Sequence, residues 1–437
     1  MRYLFGFLCV CALGLMPLIG CETADNGGTG GTAGDGGSGG TPECEVAEDC
    51  DDVNECTGNA CVAGMCEYAP VQDGTACDES NECTDNTCTD GVCDGTLLVG
   101  TPCGNGLGTC SLGGSCAGVP CTEQGIRDAI AAGGGPYSLA CEGTETVATQ
   151  AEIVIDNDFN LEGEGLTLDG NEEHRVFSVL EGVTAELRGF TVTRGQPEGN
   201  GAGIWNRGTL LLERSTVSGN IASGDCFLGD AGVGGGILNQ GTLRLEGVTV
   251  SGNSADCLAG GIRNDAYATL TIQTSTISGN TAPASGAGID NDEDGVVDIR
   301  WSTISGNTRE TVAGLGNQNQ GGFTIASSIV DDACAGEGFT TLASEGYNIE
   351  STGDTCGFDP DGTDKVNVSA DDLKLGPLQD NNGATETHEL LPGSIAIDVI
   401  PEGACEPDED QRGVARPEWD GTMCDVGAFE RWSGDDG

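Results

Sequence analysis

The sharpest chemical signal in the sequence is an acidic turn, 290-DNDEDG-295. Its alternating aspartates followed by glycine match the first half of a calcium-binding loop, where oxygen ligands recur at every second position. The twelfth position, which would carry a bidentate glutamate, is Trp301, so the loop is incomplete. The alternative is an ordinary turn decorated with acid, equivalent to 206-NRG-208. Calcium is the one cofactor that the sequence suggests, and its ligands would be Asp290, Asp292, Asp294 and Asp298.

Arginines flank this acidic turn on neighbouring segments of the chain. A polysaccharide lyase combines carboxylates that hold calcium with a nearby arginine or lysine that removes a proton. The candidate catalytic residues are Arg263, Arg300 and Asp290. Alternating arginine and acid is more often a solvated face, and the two histidines are isolated from any serine–aspartate partner. A calcium-dependent polysaccharide lyase, or another carbohydrate-active enzyme, is therefore the alternative function.

A binding function has its own candidate residues. The third residue of a recurring G-I-x-N step is predicted to point outward, and it is Trp205 in one copy and Leu238 in the next. Together with Trp301, these side chains could form a stacking surface for sugar rings. The alternative is packing beneath a loop. Residues 221–235 form the longest insertion, which is where we expect specificity.

The elements that carry these residues are repeats. The phrases STVSGN, VTVSGN, STISGN and STISGN recur at 215–220, 248–253, 275–280 and 302–307. Each follows a short run of alternating apolar residues, such as 209-TLLLERSTV-217, which indicates a strand with one buried face. Repeats of this length stack as a solenoid. We predict an all-β fold, a right-handed parallel β-helix. Two asparagine columns fit its turns: Asn206, Asn239, Asn264, Asn291 and Asn317, and Asn220, Asn253, Asn280 and Asn307.

Two further features test the register. Segment 122-TEQGIRDAIAAGGG-135 has a helix-capping threonine, an apolar face and terminating glycines, and we predict that it covers the N-terminal end of the solenoid. Cys226 and Cys257 lie at equivalent points of neighbouring coils, which are spaced about 4.8 Å apart. A disulfide between them is therefore predicted.

The composition restricts the partners. The net charge is −55, with 16 basic residues against 71 acidic ones. Nucleic acid is excluded as a partner, because phosphate binding needs clustered lysine and arginine. The 23 cysteines indicate an exported, disulfide-bonded protein. Outside the first module the expected pairs are Cys121–Cys141, Cys226–Cys257, Cys334–Cys356 and Cys405–Cys424.

The N-terminal residues indicate an export signal followed by a flexible tether. Residues 1–20 are apolar after Arg2 and are predicted to be a signal peptide. They end in 18-LIGC-21, which resembles the bacterial lipobox; the resemblance implies lipidation of Cys21 and, with Glu22 next, placement in the outer membrane or at the cell surface. An ordinary signal peptide is the alternative. Residues 21–43 then form a flexible glycine-rich linker.

Residues 44–121 are predicted to be a small disulfide-rich module. Two related copies, 51–77 and 78–103, are followed by a partial third, and no zinc-type spacing occurs. Its connectivity stays open, as does its role as spacer or interaction module. Residues 122–345 are assigned to the β-helix and 346–437 to a C-terminal region.

Three stretches carry a family resemblance. The β-helix units resemble those of secreted bacterial β-helix proteins, and the cysteine module resembles repeats of myxobacterial surface lipoproteins. The tail, with 375-LGPLQDNNGATETHELLPGSIAID-398 and 424-CDVGAFE-430, resembles the choice-of-anchor Q domain. The resemblance implies a surface-anchored β-helix whose tail caps the solenoid. The leading prediction is a structural or adhesive role in which the protein, held to the membrane by its lipid, binds a polysaccharide or another surface protein.

Overall fold

The computed structural model describes residues 44, 46, 50, 54–77, 81–143, 145–226, 232–284, 286–307, 314–317, 321–335, 342–351, 353–417 and 422–432. The chain forms two compact units. Among the described residues, the first comprises those within 44–78 and 86–94, and the second comprises those within 79–85 and 95–432. The boundary therefore lies well before residue 121, because the partial third cysteine repeat belongs to the second unit.

The first unit is held by disulfides around short antiparallel strands. Its hairpin pairs β1 (Thr57–Val62) with β2 (Met65–Pro70). The next two strands in the chain are β3 (Thr84–Thr89) and β4 (Val92–Leu97). The connectivity that the sequence left open in this unit is Cys44–Cys61, Cys50–Cys66, Cys56–Cys88 and Cys77–Cys93.

The second unit is a parallel β-helix, as predicted, with three long sheets in its described residues. Sheet A has 12 strands and carries the T-L-x-L-E runs. It consists of β5 (Pro102–Cys103), β6 (Gly108–Cys110), β7 (Cys116–Pro120), β8 (Gly134–Ala140), β11 (Phe159–Glu162), β14 (Thr184–Arg188), β17 (Thr209–Glu213), β21 (Thr242–Glu246), β25 (Thr269–Gln273), β28 (Val296–Arg300), β31 (Gly322–Ala326) and β34 (Ala343–Ser344).

Sheet B has ten strands and carries the T-V/I-S phrases, and sheet C has eight and carries the G-I-x-N steps. Sheet B consists of β9 (Thr146–Ala148), β12 (Thr167–Asp169), β15 (Thr191–Thr193), β18 (Thr216–Ser218), β22 (Thr249–Ser251), β26 (Thr276–Ser278), β29 (Thr303–Ser305), β32 (Ile329–Asp331), β35 (Ile349–Ser351) and β36 (Lys365–Val368). Sheet C consists of β10 (Ile153–Ile155), β13 (Phe177–Val179), β16 (Ile204–Asn206), β20 (Ile237–Asn239), β24 (Ile262–Asn264), β27 (Ile289–Asn291), β30 (Leu315–Asn317) and β33 (Cys334–Ala335).

The remaining elements are short. A small parallel pair joins β19 (Ile221–Ala222) to β23 (Ser254–Ala255). The helices are α1 (Glu123–Ala132) and α2 (Ala370–Leu373). Two antiparallel pairs follow the last coil: β37 (Leu375–Gln379) with β38 (Thr387–Leu390), and β39 (Ile400–Pro401) with β40 (Met423–Cys424).

The core follows the period-2 pattern of the repeats. Successive coils align residue on residue: Leu210 pairs with Leu243, and Leu243 with Leu270. These inward side chains are buried, as are Val217 and Val250 of sheet B. A continuous apolar column therefore runs through the coils, and its burial is the main stabilising term for such a solenoid.

Hydrogen-bonded polar ladders run inside the turns beside this core. Asn206, Asn239, Asn264 and Asn291 each donate from Nδ2 to the Oδ1 of the next asparagine, over 2.8 to 3.0 Å. The second column does the same from Asn220 to Asn307, so both predicted columns are confirmed. Because each asparagine in the two ladders is hydrogen-bonded to the next, the ladders fix the register of the coils.

The second ladder ends on an acid. Asn307 donates from its backbone N and from Nδ2 to the carboxylate of Asp332, over 2.8 to 3.1 Å. Burial raises the pKa of Asp332 to about 7, although the hydrogen bonds from Asn307 act in the opposite direction. An aspartate thus stands where the pattern would place one more asparagine.

The N-terminal end of the solenoid is built as predicted, with one extension. Thr122 caps α1 by accepting a hydrogen bond from the backbone N of Gly125, and Ile126, Ala129 and Ile130 are buried. Sheet A nevertheless continues past the helix, because β7 pairs with β8 in parallel. The disulfides Cys83–Cys110 and Cys103–Cys116 hold this extension together.

The C-terminal region differs from the predicted end cap. Residues 365–368 still form a strand of sheet B, and residues 370–417 and 422–432, which we term the lateral cover, pack on its outward face. Thr249 donates to the backbone O of Glu386 over 2.6 Å, and Thr276 donates to Gln411 over 2.6 Å. The cover starts at β22, because the outward residues of β18 remain half-exposed.

Candidate functional site

The outward face of sheet C carries four of the predicted site residues. Parallel register places Trp205, Leu238, Arg263 and Asp290 in one column. The glycine-rich segment before each strand folds over this column. A Cβ added to Gly201 would crowd Leu238, and one added to Gly286 would overlap Asp290. Leu238 is only 2% exposed, so the prediction that it offers a stacking surface is corrected: the preceding turn covers it.

Arg263 and two of the predicted calcium ligands form one buried ion-pair cluster. The Nη1 atom of Arg263 donates to Asp290, and Nη2 donates to Asp292. Asp290 is 0% exposed and Arg263 is 7% exposed. Burying such charges is tolerated only when they are paired, so this cluster holds two neighbouring coils together.

The other predicted calcium ligands lie elsewhere. Asp294 is exposed at the turn tip with φ 57°, and Asp298 lies on sheet A, where it pairs with Arg300 over 3.1 Å. Among the described residues, no three acidic side chains bring their oxygens within 4.8 Å of one another. The structure thus brings Asp290 and Asp292 together around a cation that the chain itself supplies.

The third catalytic candidate, Arg300, faces outward on sheet A, away from the Arg263 cluster. It pairs with Glu345 over 2.7 Å as well as with Asp298. The hydrogen bond to Glu345 raises the pKa of Arg300, with further contributions from Asp298 and against the effect of partial burial. A raised pKa makes a guanidinium harder to deprotonate, which disfavours a role as general base.

Trp301 is part of the interior rather than of a binding surface. It is 4% exposed and lies in the apolar cluster beneath the lateral cover. The guanidinium of Arg416 sits 4.8 Å from its ring centroid. The prediction of a ligand-stacking role for Trp301 is therefore corrected, because a segment more than 100 residues further along the chain covers it.

Trp205 remains half-exposed, but its ring is already engaged. The guanidinium carbons of Arg175 and Arg207 lie 4.7 and 4.4 Å from the ring centroid. The indole Nε1 donates to Gln240 over 2.8 Å. Arg175 is anchored by Glu152 at 2.7 Å and by backbone carbonyls. Trp205 is thus a fixed platform for cations, and its ring faces are shared with guanidinium groups.

A groove that the sequence did not predict runs where the coil turns leave sheet A beside the lateral cover. It comprises two adjoining cavities of about 430 and 220 Å³ that share Arg214. Arg214 lies 3.4 Å from Glu162 and 3.3 Å from Glu213. The lining comes from several coils and from the cover, and it combines polar side chains with glycine and apolar residues such as Phe190 and Pro407. The polar residues include Glu162, Glu164, Thr191, Glu213, Glu246, Gln273, Glu409 and Gln411.

Burial affects one acid of this groove, Glu162. Burial raises the pKa of this carboxyl, with Arg214 acting in the opposite direction. The repeat pattern did place Glu213, Glu246 and Gln273 on the outward face, which was the available signal. The missing information was the opposite wall, because residues 407–413 reach the groove only through the fold of the lateral cover.

Fold and site together define the class: an all-β parallel β-helix with a cover along one sheet, preceded by a small disulfide-rich unit. In the described residues, six disulfides lie in the β-helical unit and four in the first unit. All four pairs predicted outside the first module are present, with Cys226 and Cys257 at a Cα–Cα distance of 5.4 Å. So many disulfides indicate an extracellular, oxidising environment. Compared with protein-family models, curated proteins and solved structures, the chain matches none.

Most of the residues that carry the membrane-anchor and specificity predictions lie outside the part of the chain that the structure describes. No helix in the described residues has the length and apolar character needed to cross a bilayer. The signal peptide 1–20, Cys21 and the linker lie outside the described residues, as does the middle of the insertion 221–235.

Proposed function

We propose that this protein is a surface-displayed binding scaffold with a structural or adhesive role, and that it holds oligosaccharide in the groove between sheet A and the lateral cover. The observation that carries the proposal is the series of polar side chains along this groove, which successive coils contribute beside apolar surface. A chain of sugar hydroxyls needs many donors and acceptors along a line, and a solenoid provides an extended surface of that kind.

The chemistry of the lining suits neutral sugars. Glu213 and Glu246 offer carboxylate acceptors, Gln273 offers both a donor and an acceptor, and Arg214 offers several donors. The acids outnumber the arginine, so a strongly acidic polymer would be repelled here. Neighbouring coils lie about 4.8 Å apart, so the groove spans several repeats along the solenoid axis.

The proposed scaffold function includes a lipid anchor near the N-terminus. The lipobox-like 18-LIGC-21 supports lipidation of Cys21, and the linker 22–43 supports display at a distance from an outer membrane. The tail supports kinship with choice-of-anchor Q proteins. Growth with an alkyne-tagged fatty acid should label the exported chain and leave a Cys21→Ser variant unlabelled; equal labelling of both would refute the anchor.

The lyase alternative gains no support from the candidate residues. Arg263 is enclosed with Asp290 and Asp292, and Arg300 is held by Asp298 and Glu345. A base must reach a substrate proton, and neither guanidinium is free to do so. We therefore advance the binding role alone.

The test is a glycan array probed with the full exported chain, disulfides intact, followed by calorimetry on the neutral oligosaccharides that bind. Arg214→Ala and Gln273→Ala should each weaken binding by about fivefold or more, since each removes hydrogen bonds to the ligand. The matched control is Arg194→Ala, which removes an equally exposed arginine of sheet B paired with Asp169. Loss of affinity in the control alone, or no neutral glycan bound, would overturn the proposal.

A further inference from the structure

We propose a second binding site, distinct from the groove, in which Arg207 holds the carboxylate of a uronic acid sugar beside Trp205. Arg207 directly follows the C-terminal end of β16, an inner strand of sheet C. Among the arginines that the structure describes, it alone has no aspartate or glutamate oxygen within 4.0 Å. The chain carries 71 acidic residues, so an unpaired guanidinium is the exception in this molecule.

One nitrogen of the Arg207 guanidinium is buried, whereas its two terminal nitrogens are accessible to solvent. Its Nε is buried and has no acceptor. Its two terminal nitrogens also lack a hydrogen-bond partner, but they are not among the buried unsatisfied atoms and so face solvent. An arginine whose Nη pair is open presents the two parallel donors that a planar carboxylate accepts.

The ring of Trp205 orients this guanidinium, and the ring itself is held in place. The guanidinium lies 4.4 Å from the ring centroid of Trp205, and the indole is held by Gln240, whose own amide donates to Asp265 over 2.7 Å. The equivalent positions on the neighbouring coils are Leu180 and Gln240, neither of which is charged. The site is therefore preorganised, which lowers the entropy cost of binding.

The ligand class follows from the pairing of one open guanidinium with one aromatic ring. A uronic acid carries a single carboxylate, and the rest of its ring can contact the part of Trp205 that the two guanidinium groups leave exposed. An acidic protein surface would bring many carboxylates close to a chain of net charge −55, which opposes association. An oligosaccharide with an isolated uronate avoids most of that repulsion. This site does not depend on the neutral-sugar groove.

Calorimetry on the full exported chain tests the site with an aldobiouronic acid, a disaccharide with one uronate, and with its methyl ester. The acid should bind about tenfold or more tightly than the ester, because esterification removes the charge that Arg207 pairs with. Arg207→Gln should abolish that preference, while Arg194→Gln should preserve it. Unchanged melting of Arg207→Gln would show that its fold is intact.

Three results would overturn the inference. The first is equal affinity for acid and ester in the parent chain, and the second is an acid preference that survives in Arg207→Gln. The third is equally tight binding of a glutamate peptide, which would indicate a protein partner instead. Each of these leaves the groove untouched, since neutral-glycan binding and its loss in Arg214→Ala are measured separately.

Discussion

Two arginines on sheet C show how this acidic chain uses its few cations. Arg263 is buried and donates to both Asp290 and Asp292, whereas Arg207 has no carboxylate within reach and lies against Trp205. The guanidinium of Arg263 is therefore fully paired within the fold. The guanidinium of Arg207 contacts the Trp205 ring and keeps its terminal nitrogens available to a ligand. The abundance of acidic residues therefore does not decide the role of an arginine. The register of the neighbouring coils decides it, because the register determines whether an acidic residue lies beside the arginine.

The largest expected effect comes from breaking the paired arginine. Arg263→Ala leaves Asp290 buried without its cation, which should destabilise the β-helix by about 3 to 5 kcal/mol. Arg207→Ala removes only a contact with Trp205 and should cost about 1 kcal/mol or less. Urea denaturation at pH 7 measures both. Similar losses in the two variants would abolish the distinction between structural and open arginines.

A smaller effect is expected at a buried acid that lacks a cation altogether. The pKa of Asp332 is raised to about 7 by burial, against about 3.9 in an unfolded chain. The folded state therefore prefers the protonated acid, so its stabilising contribution is complete below about pH 4 and is lost as the pH rises through 7.

Asp332→Asn supplies a neutral side chain that can still accept from Asn307. Relative to the parent chain, the variant should gain stability between pH 4 and pH 8, by up to about 4 kcal/mol. Denaturation of both proteins at the two pH values isolates this residue, because all other titrating groups cancel in the difference. A constant difference between the proteins at the two pH values would contradict the expectation.

The smallest effect concerns the geometry of the open site. Arg207→Lys keeps the charge but loses the planar pair of donors, so affinity for the aldobiouronic acid should fall by about three- to tenfold. Binding of neutral oligosaccharide in the groove serves as the internal control. A lysine variant as tight as the parent would indicate that charge alone, without bidentate geometry, selects the ligand.

Local periodicity was enough to predict the solenoid from the sequence. Alternating leucines and valines, both asparagine columns, the capped helix α1 and the Cys226–Cys257 bridge all depend on residues within one or two repeats. The same information predicted which residues point outward, including Glu213 and Trp205.

What the sequence did not disclose is the covering of outward residues by non-repetitive segments. Leu238 is buried by the glycine-rich turn around Gly201 of the preceding coil, and Trp301 by the lateral cover, which has no repeat pattern to align with the coils. The sequence placed Arg263 and Asp290 at neighbouring positions, but it did not show that both side chains are buried, and their burial decides that the pair is structural. The sequence could not show that Arg207 is unpaired, because this depends on which carboxylates the folded chain brings near its guanidinium.

Arginine footprinting would test the contrast between Arg207 and Arg263 most directly. The full exported chain is treated with phenylglyoxal, with and without the aldobiouronic acid, and the modified sites are mapped by mass spectrometry. The account predicts that Arg207 reacts, that the acid protects it while the methyl ester does not, and that Arg263 stays unreactive throughout. Reaction of Arg263 at the rate of Arg207, or no protection of Arg207 by the acid, would contradict it.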